Sequence, residues 1–154
     1  MSRTGIYSSV IGLLAISYED EYIVGINILD EENTEIIDEK SFISDNCFLQ
    51  IKEYLDGKRK TFDLKYKLCG TEFQKTVWDE LLKIPYGKTR SYKDVAIAIG
   101  RSSSARAVGN ANNHNPIMII VPCHRVIGNS GKLVGYAGGL KVKEKLLSIE
   151  KSNL

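Results

Sequence analysis

The character of this chain shifts near residue 70, from mainly sheet-like to mainly helical spacing of its apolar residues, and that shift constrains the fold more than any other feature. Before it they alternate as in half-buried strands; after it they recur at helical intervals. Ile6-Tyr7-Ser8-Ser9-Val10 and Leu13-Leu14-Ala15-Ile16 flank Gly12, and Tyr22 to Leu29 is rich in β-branched residues. These segments predict strands. Glu31-Glu32-Asn33 predicts a turn. Cys47, Ile51 and Leu55 then fall on one helical face, and Asp56-Gly57 ends that helix before an exposed connection at Lys58-Arg59-Lys60.

From Thr71 the pattern is helical. Thr71-Glu72-Phe73-Gln74 has the capping-box form, and Phe73, Val77, Leu81 and Ile84 make one stripe that stops at Pro85-Tyr86-Gly87. Ser91 caps a short helix closed by Gly100, and a second helix is expected from Ser103 to about Asn113. Two short helices joined by a tight turn in a basic context read as a helix-turn-helix, although a plain helical hairpin shares the pattern. Asn115-Pro116 ends the second helix. The unbroken apolar run Ile117 to Val121 predicts a buried extended strand that delivers Pro122-Cys123-His124-Arg125. A loop with five glycines spans 128–139, and a helix from Leu140 to Glu150 closes the sequence.

Charge divides at the same place. Residues 1–70 carry 8 Lys/Arg and 13 Asp/Glu, whereas residues 71–154 carry 13 and 6. Between Pro85 and Lys143 nine basic residues stand against one acid, Asp94. This distribution predicts an acidic α/β support domain over 1–68 and a basic domain over 69–154 whose partner is a polyanion, with a merely solvated basic face as the alternative. At 154 residues, 43% hydrophobic, there is enough core for folding without disulfides or metal. No apolar run approaches the roughly 18 residues of a membrane span, and the N-terminus lacks the series of a secretory signal. Cys47, Cys69 and Cys123 are odd in number and widely spaced, so a reducing, cytoplasmic setting is expected. With two histidines, little remains for a zinc site, and no cofactor is expected.

Cys123 alone reads as a core thiol. Its neighbours His124 and Arg125 are polar, hard to bury, and expected to favour the thiolate. A nucleophile at a strand end, facing a glycine loop that permits close approach, is a plausible covalent site. Adjacent strand residues point to opposite faces, which argues against metal binding by Cys123 and His124.

Pro122-Cys123-His124-Arg125-Val126-Ile127-Gly128 resembles the active-site signature of the O6-alkylguanine-DNA alkyltransferases, the methylated-DNA–protein-cysteine methyltransferases. The likeness runs in unbroken order over 71–150. It includes Phe73-Gln74, Val77-Trp78, Ile84-Pro85-Tyr86-Gly87, Ser91-Tyr92, Ala105-Arg106-Ala107-Val108-Gly109, Asn115-Pro116, Tyr136-Ala137-Gly138-Gly139-Leu140 and Lys143-Glu144. It implies an α+β protein: a small RNase H-like α/β domain, then a mostly helical, winged-helix-like domain with a helix-turn-helix. The implied activity is direct repair. The lesion nucleotide, mainly O6-methylguanine with O4-methylthymine as a further candidate, is flipped from duplex DNA because its target atom lies inside the stack. Its alkyl group then passes irreversibly to Cys123, in a monomeric and self-inactivating enzyme.

The resemblance also assigns residues. Cys123, His124 and Glu144 form a water-mediated chain in which the acid orients the base, Tyr92 donates to the base, and Asn115 braces the turn before the nucleophile. Arg106 fills the vacated stack. Ala105, Ala107, Gly109 and Ser103 lie around it at the DNA, with Tyr92 and Arg125. Val126, Tyr136, Ala137, Gly138 and Met118 line the base and alkyl pocket. Read by themselves, Arg106 suits a surface ion pair, Tyr92 a packing aromatic, Asn115 a helix stop and Glu144 an exposed helix acid. Ala137 stands where many relatives have serine, and the zinc ligands some relatives carry in the N-terminal domain are missing. Two rivals remain: a non-catalytic alkyltransferase-like lesion binder, in which the cysteine is replaced, and a winged-helix regulator whose cysteine is only buried.

Overall fold

A computed structural model describes residues 1–30, 35–136 and 138–154. The turn expected at Glu31-Glu32-Asn33 lies outside the described residues, as does Ala137. Three strands, β1 (Arg3–Ser9), β2 (Gly12–Glu19) and β3 (Tyr22–Ile28), form an antiparallel meander in the order β1-β2-β3. Helix α1 (Phe42–Leu55) packs on one face through Cys47, Ile51 and Tyr54, all fully buried. It starts five residues before Cys47. Ser41 and Ser44 make a reciprocal cap there, which the spacing of the apolar stripe could not reveal.

The outer edge of β3 is not left open. Ile23 exchanges backbone hydrogen bonds with Lys65 and Lys67 at 2.9 Å each, and Ile26 does so with Pro116 at 2.9 Å and Met118 at 3.2 Å. A sheet edge that would otherwise invite aggregation is therefore covered at one end by residues 65–67 and at the other by the segment that leads to Cys123.

The C-terminal part is helical: α2 (Glu72–Leu81), α3 (Tyr92–Ala98), α4 (Ala105–Asn113) and α5 (Leu140–Ser152). Capping boxes open α2, with Thr71 and Gln74, and α3, with Ser91 and Asp94. The end of α3 is a Schellman turn, with Gly100 at φ +75° donating to Ile97 and Arg101 donating to Ala96 at 2.8 Å. That turn sets α3 against α4, and Trp78 fixes α2 to the pair by donating its indole N–H to Ala111 O at 2.9 Å. Two-residue strands β4 (Arg90–Ser91) and β5 (Val126–Ile127) run parallel beside them.

The segment 117–121 differs from expectation. It is buried, but as a turn: Val121 N–H returns to Ile117 O at 3.0 Å, and Ile119 adopts φ +73°. A β-branched residue there is strained by about 1–3 kcal/mol, and burial of the whole apolar run holds it. Continuous apolar runs specify burial, not extension.

Candidate active site

Cys123 opens a single 3-10 turn, Cys123–Arg125, rather than ending a strand. Asn115 places it. Its Oδ1 accepts from Ile117 N–H at 3.0 Å, while its Nδ2 donates to Val121 O at 2.8 Å and to Cys123 Sγ at 3.1 Å. The same amide therefore braces the turn and supplies a donor to the sulfur. Cys123 is 4% exposed, and it lines a cavity of about 240 Å³ together with Asn112, Met118, Tyr136 and Ile28. Burial pushes its thiol pKa up; the Asn115 donor, the Lys143 charge and the Tyr136 hydroxyl pull against that without cancelling it. The resting group is a thiol.

The expectation that Arg125 promotes the thiolate and contacts DNA is corrected. Arg125 is buried, its Nε donating to Glu150 at 2.8 Å and its Nη1 to Ile84 O at 2.7 Å. A guanidinium held this way is a strut of the core.

His124 is fully buried behind the nucleophile, and its Nε2 meets Glu150 Oε2 at 2.5 Å. Burial lowers its pKa and outweighs the opposing pull of Glu150, so the ring is neutral. The carboxylate fixes the tautomer with the proton on Nε2. Nδ1 is left buried with no protein partner among the described residues. Glu150 also accepts from Tyr54 at 2.5 Å and from Gly87 N–H at 2.9 Å. Burial raises its pKa, yet the donors from His124, Arg125 and Tyr54 prevail and hold it at about 2.

Glu144, assigned as the orienting acid, is exposed on α5. The carboxylate that meets the His124 ring is Glu150 instead. Lys143, Leu146 and Glu150 form the buried face of α5, from which Glu144 is rotated away. Charged residues in phase with a core leucine were the signal that could have found Glu150 and Lys143. Lys143 is fully buried, with Nζ donating to Val134 O at 3.0 Å and Gly135 O at 3.3 Å. Burial lowers its pKa to about 8 against the opposing pull of Cys123. Tyr54 and Asn112, which donates to Cys123 O at 3.3 Å, were also missed.

Tyr92 donates to the same two loop carbonyls, Val134 O at 2.8 Å and Gly135 O at 3.3 Å. Arg106, Ala107 and Ser103 are exposed on or beside α4, whereas Ala105 and Gly109 are half-buried. Val126 and Met118 are buried. The Tyr136 hydroxyl is buried without a well-formed hydrogen bond, close enough to Cys123 that each shifts the other's ionisation. Gly138 lies against that ring, where a Cβ would sit 2.9 Å from Tyr136 Cε2. Among the described residues no cluster of three or more His, Cys, Asp or Glu could hold a metal, and no helix is long and apolar enough to cross a membrane.

Residues 72–152 match the family described as 6-O-methylguanine DNA methyltransferase, DNA binding domain, and residues 3–68 match its ribonuclease-like domain. The chain belongs to the 6-O-methylguanine DNA methyltransferase family. A methylated-DNA–protein-cysteine methyltransferase of Methanosarcina acetivorans is 46% identical over 153 residues, covering 96% of this chain and 97% of that protein. The protein of the same name from Methanosarcina barkeri is 58% identical over 105 residues, 68% of this chain and 66% of its own length. In structure, the O6-methylguanine methyltransferase of Mycobacterium tuberculosis superposes with a TM-score of 0.89 at 42% identity, covering 100% of this chain and 95% of that one. The M. tuberculosis OGT in complex with DNA gives 0.88 at 45% identity, covering 99% and 93%. The small sheet domain followed by a helical domain is thus the architecture of this methyltransferase family.

Proposed function

We propose that this chain repairs alkylated DNA by moving the alkyl group from guanine O6 to Cys123. The observation that carries the reading is a cysteine sulfur on the wall of a cavity, with an amide donor on one side and a buried His124–Glu150 pair behind it. In the implied order, residues 69–154 bind duplex DNA through α3 and α4, and Arg106 enters the stack as the damaged nucleotide leaves it. Flipping costs a few kcal/mol and is least costly for a base already poorly paired.

The Cys123 proton passes through a bridging water to His124 Nδ1, the ring nitrogen that Glu150 does not occupy and that has no partner among the described residues. The imidazolium is stabilised by Glu150, whose charge is secured by its donors. Sulfur then attacks the alkyl carbon. The S–C bond forms as the C–O bond breaks, and the electron pair leaves on the guanine, where a proton supplied through Tyr92 neutralises it. Asn115 holds the sulfur on line by donating to it. Of the described residues lining the cavity, Cys123 is the one strong nucleophile, so none of them can remove the alkyl group from the thioether. Each chain acts once.

A site that needs a reduced thiol and duplex DNA belongs in the cytoplasm, with the nucleoid. All the groups named come from one chain, so a monomer suffices. Residues 1–68 support the reacting half, chiefly through β3 and Tyr54. The test is stoichiometry: with excess O6-methylguanine duplex, guanine restored should plateau at one equivalent of protein. Continued turnover, or no restoration, overturns the reading.

A further inference from the structure

The cavity beside Cys123 has a wall that does not belong to the C-terminal half. Ile26, Asn27 and Ile28 of β3 line it, across from Met118 and Tyr136. Their position is fixed by the backbone. Ile26 N–H donates to Pro116 O at 2.9 Å and Ile26 O accepts from Met118 N–H at 3.2 Å, so β3 cannot slide relative to the segment that leads to the nucleophile. Two residues farther along, Ile28 rests on the glycine loop: the Cβ position at Gly138 is 3.4 Å from Ile28 Cδ1. Asn27 is exposed and marks the mouth, while Ile28 is half-buried inside it.

Cys123 is otherwise enclosed, so a reacting carbon reaches its sulfur through this space. In-line displacement puts sulfur, carbon and departing oxygen on one line. Any group on that carbon larger than hydrogen must therefore spread sideways into the walls. Met118 is 6% exposed and packed in the core, so it cannot give way easily. The half-buried Tyr136 closes the opposite side with a buried hydroxyl. The outer wall is the β3 side chain.

We infer that Ile28, on the N-terminal sheet, sets the largest alkyl group that Cys123 accepts, which makes the support domain a specificity element. The inference rests on the alkyl-transfer reading above. Its test compares single-turnover rates on duplexes carrying O6-methylguanine and O6-benzylguanine, followed by intact-protein mass, for the wild type, Ile28→Ala, Ile28→Val and Ile28→Phe. A missing methylene in a hydrophobic pocket changes selectivity by roughly 10–200-fold, so Ile28→Ala should raise the benzyl-to-methyl rate ratio by at least about tenfold. Ile28→Val should move it the same way by less, and Ile28→Phe should lower it. The readout is this ratio, in which any change common to both substrates cancels. A constant ratio, or a parallel fall of both rates as expected from simple misplacement of the glycine loop, overturns the inference while leaving methyl transfer intact. A wild type that gains no methyl on Cys123 overturns the functional reading and this inference together.

Discussion

Glu150 Oε2 lies 2.5 Å from His124 Nε2, and the same carboxylate binds the guanidinium of Arg125 at 2.8 Å through Oε1. One buried acid therefore orients the imidazole next to the nucleophile and also fixes the 3-10 turn on which that nucleophile sits. Chemistry and local stability are joined at α5.

Removing that carboxylate should affect both. Glu150→Ala leaves Arg125 buried without its partner, a loss of about 3–5 kcal/mol, and denaturant melts should register it together with a collapse of the transfer rate. Glu144→Gln changes an exposed residue and should leave both within about twofold, or about 0.5 kcal/mol, of wild type. The reverse ranking would restore Glu144 as the orienting acid.

The two arginines should separate in the same way. Arg106→Ala removes an exposed side chain on α4. It should slow transfer from duplex DNA and reduce the salt dependence of binding, with the melting temperature unchanged. Arg125→Ala should lower the melting temperature first, because its guanidinium is bound to Glu150 and Ile84 O. Equal loss of DNA affinity without destabilisation in Arg125→Ala would place it at the interface after all.

The pH response follows from the direction of each shift. Burial lowers the His124 pKa below its ordinary 6.5, so the neutral base survives as pH falls past that value, and transfer should decline only in more acid solution. Glu150 is depressed to about 2 from 4.5. Its contribution to folding is complete above 4.5 and is lost as pH falls toward 2. Rate and stability profiles over about pH 2–8 read both, and an activity midpoint above 6.5 would contradict a buried neutral imidazole.

Much of the architecture was legible because it is local. The capping boxes at Thr71 and Ser91, the glycine that ends α3 and the alternation of β1 to β3 each follow from neighbouring residues. Cys123, His124 and Asn115 could be picked out from one contiguous segment, and the fold sets the Asn115 amide on the Cys123 sulfur, with His124 next on the same turn. What the sequence hid depends on long-range packing. Whether Ile117–Val121 is extended or turned is decided by what surrounds it. Glu150 lies 26 positions from His124 and is identified by the phase of α5 rather than by proximity in sequence. Ile28 borders the cavity because the edge of β3 pairs with Pro116 and Met118, a pairing no local pattern encodes.

The alkylated chain should be less stable than the unreacted one. Methylation makes the sulfur a thioether, a poorer acceptor for the Asn115 Nδ2 donor now 3.1 Å away, and a buried donor left poorly satisfied costs about 1–3 kcal/mol. A chain of this size loses roughly 2–4 °C of Tm per kcal/mol, so calorimetry before and after complete reaction should show a fall of several degrees. An unchanged Tm would mean that the site accepts the group without that cost.

The most direct measurement is the mass of the protein after incubation with a duplex carrying O6-methylguanine, with the modified peptide then sequenced. The account predicts a gain of one methylene, carried by Cys123 alone and abolished in Cys123→Ser. An unmodified chain, or a methyl on Cys47 or Cys69, would contradict it.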